Sequence, residues 1–181
     1  MTDFETALQS VKPISAEPFP FTALQREWIE DLKGCPPDLQ GTGWLLRIGG
    51  NTNDGMKPGF CCLGRALIVA GAETSISQNS VAIRFSYKEE SVVQALPGNL
   101  ALEMQMTDIG SFRGHSMDQY DFPTREIHIP DYGYYSSLTQ MNDGRSEGKP
   151  LTFRQIAAFI EHDPWRVFAL APFPEFKPND A

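Results

Sequence analysis

Two adjacent cysteines, Cys61 and Cys62, open an apolar run that continues Leu63-Gly64-Arg65-Ala66-Leu67-Ile68-Val69-Ala70. A thiol in the first turn of a helix feels the positive end of the helix dipole, and an arginine one turn on favours the thiolate further. On a helical wheel Arg65 shares a face with Cys61, so the run has the form of an activated nucleophile. Catalysis would need a base, for which the sequence offers His115 or His128, and an orienting group, for which it offers Asp143 or Asn142. The plainer reading makes both cysteines small apolar residues of a packed helix, and it takes precedence because no local Cys-His-Asn signature accompanies them. Ligand binding is the other chemistry these residues offer. Gly64 permits close approach, Arg65 brings a cation, and Asn142 and Asp143 bring polar groups. Asn142-Asp143-Gly144 reads equally as a helix C-cap, with Asp143 able to accept from the N-terminus of a neighbouring helix.

Other site chemistries find little support. Three cysteines make a poor disulfide framework, there is no Cys-x-x-Cys pair, and His115, His128 and His162 lie far apart, so neither metal nor cofactor is expected. Gly41-Thr42-Gly43 lacks the third glycine of a dinucleotide fingerprint, and no phosphate-loop Gly-Lys-Ser/Thr or Gly-x-Ser-x-Gly occurs. Asn51-Thr52-Asn53-Asp54-Gly55 has its glycine one position early for a calcium loop and no closing glutamate. Arg145, Lys149 and Arg154 read as a solvated face. The 15 Lys+Arg against 23 Asp+Glu give a net charge of −8, which disfavours non-specific nucleic-acid binding. No apolar run is long enough to span a membrane, and Met1–Ser10 lacks the basic and apolar regions of a secretory signal, so a cytoplasmic location is expected.

Positioning these residues requires a core. The 181 residues suit one domain, with 41% hydrophobic and 21% charged residues. Capping boxes at Thr22-Ala23-Leu24-Gln25 and Thr152-Phe153-Arg154-Gln155 start two helices, the first stopped by Gly34 and the second by Asp163-Pro164. A helix over Phe60–Ala70, apolar nearly all round, is the buried centre. A short helix follows Leu96-Pro97 to about Met106, and another is expected over Tyr134–Met141. Strands are expected at Trp44–Ile48, at Val81–Tyr87 by alternation, and around Ile127 and Ile129. The stretch from Asp108 to Pro123 has no period and reads as a long loop. Strands and helices do not repeat regularly, which favours an α+β domain of short antiparallel strands and four to five helices around the central one. Residues 22–168 form that domain. Residues 1–21 and 169–181 read as Pro/Phe-rich arms without helical character, either packed on their own domain or exchanged in a homo-oligomer.

Phe60-Cys61-Cys62-Leu63-Gly64-Arg65-Ala66-Leu67 resembles a signature of small proteins encoded by bacteriophages and prophages. Ser137-Leu138-Thr139-Gln140-Met141-Asn142-Asp143, followed by Leu151-Thr152-Phe153-Arg154-Gln155-Ile156-Ala157-Ala158-Phe159-Ile160-Glu161, resembles the ending of the same group. The resemblance covers residues 22–168 and implies a shared core and a viral origin, with no reaction attached. The sequence therefore leads to a phage accessory protein that acts in the host cytoplasm by binding a host protein or a small signalling molecule, in host takeover or counter-defence. The rival is a hydrolase or transferase with Cys61 or Cys62 as nucleophile. If the paired signatures belong together, Asn142 and Asp143 should lie beside the start of the Cys61–Cys62 helix.

Overall fold

A computed structural model describes residues 3–41, 46–48, 58–76, 83–92, 96–106, 126–144 and 148–168. In chain order these hold α1 (Phe4–Gln9), α2 (Ala23–Gly34), a 3-10 turn (Pro37–Leu39), β1 (Leu46–Ile48), β2 (Pro58–Phe60), α3 (Cys62–Val69), β3 (Glu73–Ile76), β4 (Ile83–Tyr87) and β5 (Glu90–Val92). They continue with α4 (Gly98–Glu103), β6 (Ile127–Ile129), β7 (Gly133–Tyr135), α5 (Leu138–Asp143), α6 (Phe153–His162) and α7 (Pro164–Val167). The fold is α+β, with seven α-helices among the described residues instead of four to five. The strands form three separate antiparallel units, β1–β2, β3–β4–β5 and β6–β7. No helix among the described residues is long and apolar enough to cross a membrane.

The core is helical. α2 packs on α6 and on α3, and α5 closes against both α3 and α6. Both expected capping boxes form: Thr22 and Thr152 each accept from the backbone N–H three residues on, and the Gln25 and Gln155 side chains accept from the cap N–H in return. Starting α2 and α6 so firmly sets which faces they turn inward. Trp28 and Leu32 from α2, Leu63, Ala66 and Leu67 from α3, and Ile156, Ala157 and Ile160 from α6 are all fully buried in this core. Each large apolar side chain among them contributes about 1.5–3 kcal/mol by leaving water. α3 is shorter and less enclosed than its composition suggests: its first two turns are buried, while Ile68 is exposed and Val69 and Ala70 are half-buried.

Two expectations are corrected. Residues 133–135 are a strand, because Asp131 and Gly133 adopt positive φ and turn the chain back on β6; the helix begins only at Leu138, capped by Ser137. The amino-terminal segment is helical at its start and belongs to the core. Asp3 accepts from Thr6 N at 2.9 Å and Thr6 Oγ1 at 3.0 Å, starting α1, whose Phe4, Ala7 and Leu8, together with Val11, are buried. α1 packs on α6, and Phe4 meets Tyr132 edge-on at 5.1 Å. The Asp108–Pro123 loop, the 51–55 turn and the carboxyl-terminal arm lie outside the described residues.

Candidate functional site

The start of α3 is where the two signatures meet. Cys61 is the N-cap, its Sγ accepting from Gly64 N at 3.4 Å, a weak cap that leaves other amides of the first turn in need of acceptors. Asn142, in the last turn of α5, answers one of them: its Oδ1 accepts from Cys62 N at 3.2 Å. Its Nδ2 donates to Gly41 O at 2.7 Å and to Asp143 Oδ1 at 2.9 Å, which fixes the orientation of the amide. Gln40 joins from the other side, with Nε2 donating to Leu151 O at 2.6 Å and reaching Asn142 Oδ1 at 3.4 Å, while its Oε1 accepts from Phe153 N at 3.0 Å. Trp28 Nε1 donates to Cys62 O at 3.0 Å, and Cys62 Sγ lies 3.6 Å from Leu138 O. One buried amide thus ties α3, α5 and the 40–41 segment together, and Gln40 extends the tie to α6.

The backbone must come very close for this to work. Gly41 N donates to Phe60 O, and a Cβ on Gly41 would lie 2.6 Å from Gly59 C. Gly144 ends α5 at φ 66, where a Cβ would also strike Pro150 Cδ at 2.4 Å. The left-handed cap is therefore Gly144, and Asn142 keeps its helical place.

The fold brings Cys61, Cys62, Asn142 and Asp143 together as expected, but their surroundings suit packing. Cys61 is 5% exposed, and Cys62 and Asn142 are 0% exposed, so they present no face to a ligand. Burial pushes the Cys61 thiol up to about 11, helped by the negative charge of nearby Asp143, although the Gly64 amide opposes the rise. Burial also lifts Cys62 well above the ordinary thiol range, with Cys61 adding to it. The expected help from Arg65 is absent because Arg65 is committed elsewhere. Its Nε donates to Asp31 Oδ2 at 2.8 Å, its Nη2 to Asp31 Oδ1, and its guanidinium lies 5.1 Å over the Phe60 ring. Gly64 is buried within α3. His128 is exposed on β6, stacked on Tyr134 at 4.4 Å, and is no hydrogen-bond partner of either cysteine among the described residues. His115 lies outside them.

Sequence reasoning missed Gln40, Gly41, Trp28 and Asp31. Trp28 and Asp31 were legible as members of a helix, but the partners of Gln40 lie over a hundred residues away and leave no local trace. Among the described residues no group of three His, Cys, Asp or Glu side chains could hold a metal ion.

A second feature lies on the surface. A groove of about 850 Å³ is lined by Asp3, Phe4 and Glu5 at the start of α1, by Lys33 of α2, and by α6 residues including Arg154 and Glu161. Lys33 bonds Glu161 at 2.7 Å and Glu30 at 2.8 Å. Glu5 and Arg154 are exposed and make no ion pair among the described residues. Comparison with protein-family models, with curated proteins and with solved structures gives no match.

Proposed function

We propose that the protein acts by binding another protein through the groove between α1, α2 and α6, and that its cysteines are framework. The carrying observation is the contrast between the two clusters. At the start of α3 the Cys62 amide and the Asn142 side chain are buried and bonded to neighbours, and both thiols are held protonated. In the groove, Glu5 and Arg154, from different helices, are both exposed to solvent. An open groove of mixed charge suits a polypeptide surface better than a small ligand, whose sites are mostly enclosed and apolar. The resemblance to phage-encoded proteins makes a host protein in the cytoplasm the fitting partner, and the net charge of −8 favours a basic one.

The test is affinity capture from host cells of the wild type, of Glu5→Lys with Arg154→Glu, and of Cys61→Ala. A partner held by the wild type and by Cys61→Ala, and lost about tenfold or more from the charge-reversed chain, supports the reading. Capture indifferent to the two groove charges would overturn it.

A further inference from the structure

The segment joining α1 to α2 is bound as a peptide would be. Its backbone atoms are taken up by side chains of the corner where α6 meets α7. His162 Nε2 donates to Val11 O at 2.7 Å, Ile14 N donates to Asp163 Oδ1 at 3.0 Å, and Trp165 Nε1 donates to Glu17 O at 3.1 Å. Asp163 is fully buried, and its other oxygen accepts from Arg166 Nε at 2.6 Å, so the carboxylate that reads the segment is itself fixed. Past Glu17 the contacts become aromatic. Phe19 meets Trp165 edge-on at 5.0 Å and Phe168 at 5.5 Å, with Phe21 beside it at 5.0 Å and Trp28 behind Phe168 at 6.4 Å. Pro18 and Pro20 flank the seated ring.

Fixed side chains on main-chain atoms, with an aromatic seat for one ring between prolines, are the means by which a groove recognises a stiff extended peptide. The main-chain bonds fall on residues 11–17, ahead of Phe19, and stay with the tethered segment, so what a second segment can contest is the aromatic seat of Pro-Phe-Pro. The chain contains that tripeptide twice, as Pro18-Phe19-Pro20 and as Pro172-Phe173-Pro174, each with another phenylalanine close behind, Phe21 and Phe176. The second copy comes after Phe168, part of the seat itself, and Ala169-Leu170-Ala171.

We propose that the α6–α7 corner is a docking site for Pro-Phe-Pro segments, filled in cis by residues 18–20 and open in trans to Pro172-Phe173-Pro174 of a second copy of this chain. A second copy is favoured over the chain's own tail because only four residues separate Phe173 from Phe168, which is itself part of the seat. The tethered segment competes from an effective concentration of about millimolar, so exchange depends on loosening it. This site is separate from the α1–α2–α6 groove and does not rest on its role.

The test uses the full chain and a fluorescent peptide of residues 170–178. Phe19→Ala empties the seat, and Pro20→Gly, at a position outside the buried core, loosens the segment without touching that core. Fluorescence anisotropy is expected to show the peptide bound about tenfold or more tightly by Phe19→Ala than by the wild type, with Pro20→Gly between them, and binding lost when the peptide carries Phe173→Ala. Light scattering should show Phe19→Ala dimerising with concentration, and reverting to monomer when Phe173→Ala is added to the chain. The proposal is overturned if both variants, folded by circular dichroism, neither bind peptide nor gain mass. A gain in mass that survives Phe173→Ala also overturns it. So does a Phe19→Ala chain that stays monomeric and binds peptide only once its own Phe173 is removed, since the tail would then serve its own corner.

Discussion

Replacing Asn142 with alanine removes an amide that is fully buried and bonded on both sides. Cys62 N–H loses its acceptor and Gly41 C=O loses its donor. A buried polar group left unpaired costs about 1–3 kcal/mol, so the two together should cost about 2–6 kcal/mol, while Gln40 keeps its bond to Leu151 O. Against a typical total of about 5–15 kcal/mol that is a severe loss. Asn142→Asp sharpens the test. It preserves the acceptor for Cys62 N but sets a carboxylate oxygen against Gly41 O and the Asp143 carboxylate. Burial and that neighbour raise the introduced group's folded pKa above its unfolded value of about 3.9. The variant's deficit should therefore be largest at pH 7–8 and shrink as pH falls through the raised pKa, where a protonated oxygen can donate to Gly41 O. Urea unfolding at 25 °C, followed by circular dichroism at several pH values, measures both effects. A loss under about 0.5 kcal/mol for Asn142→Ala, or a deficit in Asn142→Asp that does not vary with pH, would refute the reasoning.

Three further outcomes are expected. Cys61 is held protonated to about 11 in the folded chain, against an ordinary thiol value of 9.0, so its stabilising contribution is complete below pH 9 and lost as pH rises toward 11. Cys61→Ala should lose less stability than the wild type across that window, in parallel urea titrations. Leu67→Ala, at a position with 0% exposure, should destabilise by about 2–5 kcal/mol in the same assay, and a change below about 0.5 kcal/mol would place α3 outside the core. Gly41→Ala brings a methyl to 2.6 Å from Gly59 C and should cost about 2 kcal/mol or more, read as a lowered melting temperature.

The helices with strong local signals are legible in the sequence alone. Thr22 and Gln25, and Thr152 and Gln155, satisfy each other across three residues, and nothing distant is needed to start α2 or α6. α1 is equally local and still escapes a reading by composition. Phe4, Ala7, Leu8 and Val11 recur at helical spacing after an N-cap aspartate, but the prolines from Pro13 onward colour the whole segment as an arm. Residues 133–135 deceive in the other direction, because their aromatic side chains fit either element and only the turn at Asp131 and Gly133 settles them as a strand. Of the site, the meeting of Asn142 with the cysteine pair is legible from the paired signatures. Its closure is not. The bond from Gln40 to Leu151 spans 111 residues, and the diversion of Arg65 to Asp31 depends on how α2 lies against α3.

The most direct test of whether the cysteine signature is framework is thiol labelling of the native chain near pH 7.5, mapped by mass spectrometry at increasing urea. Cys35 is half-buried and should react first. Cys61 and Cys62 should react only through global unfolding, with an opening free energy equal to that of the urea transition. Rapid labelling of either one in the native protein, ahead of Cys35, would contradict the framework role and return the thiols to chemistry.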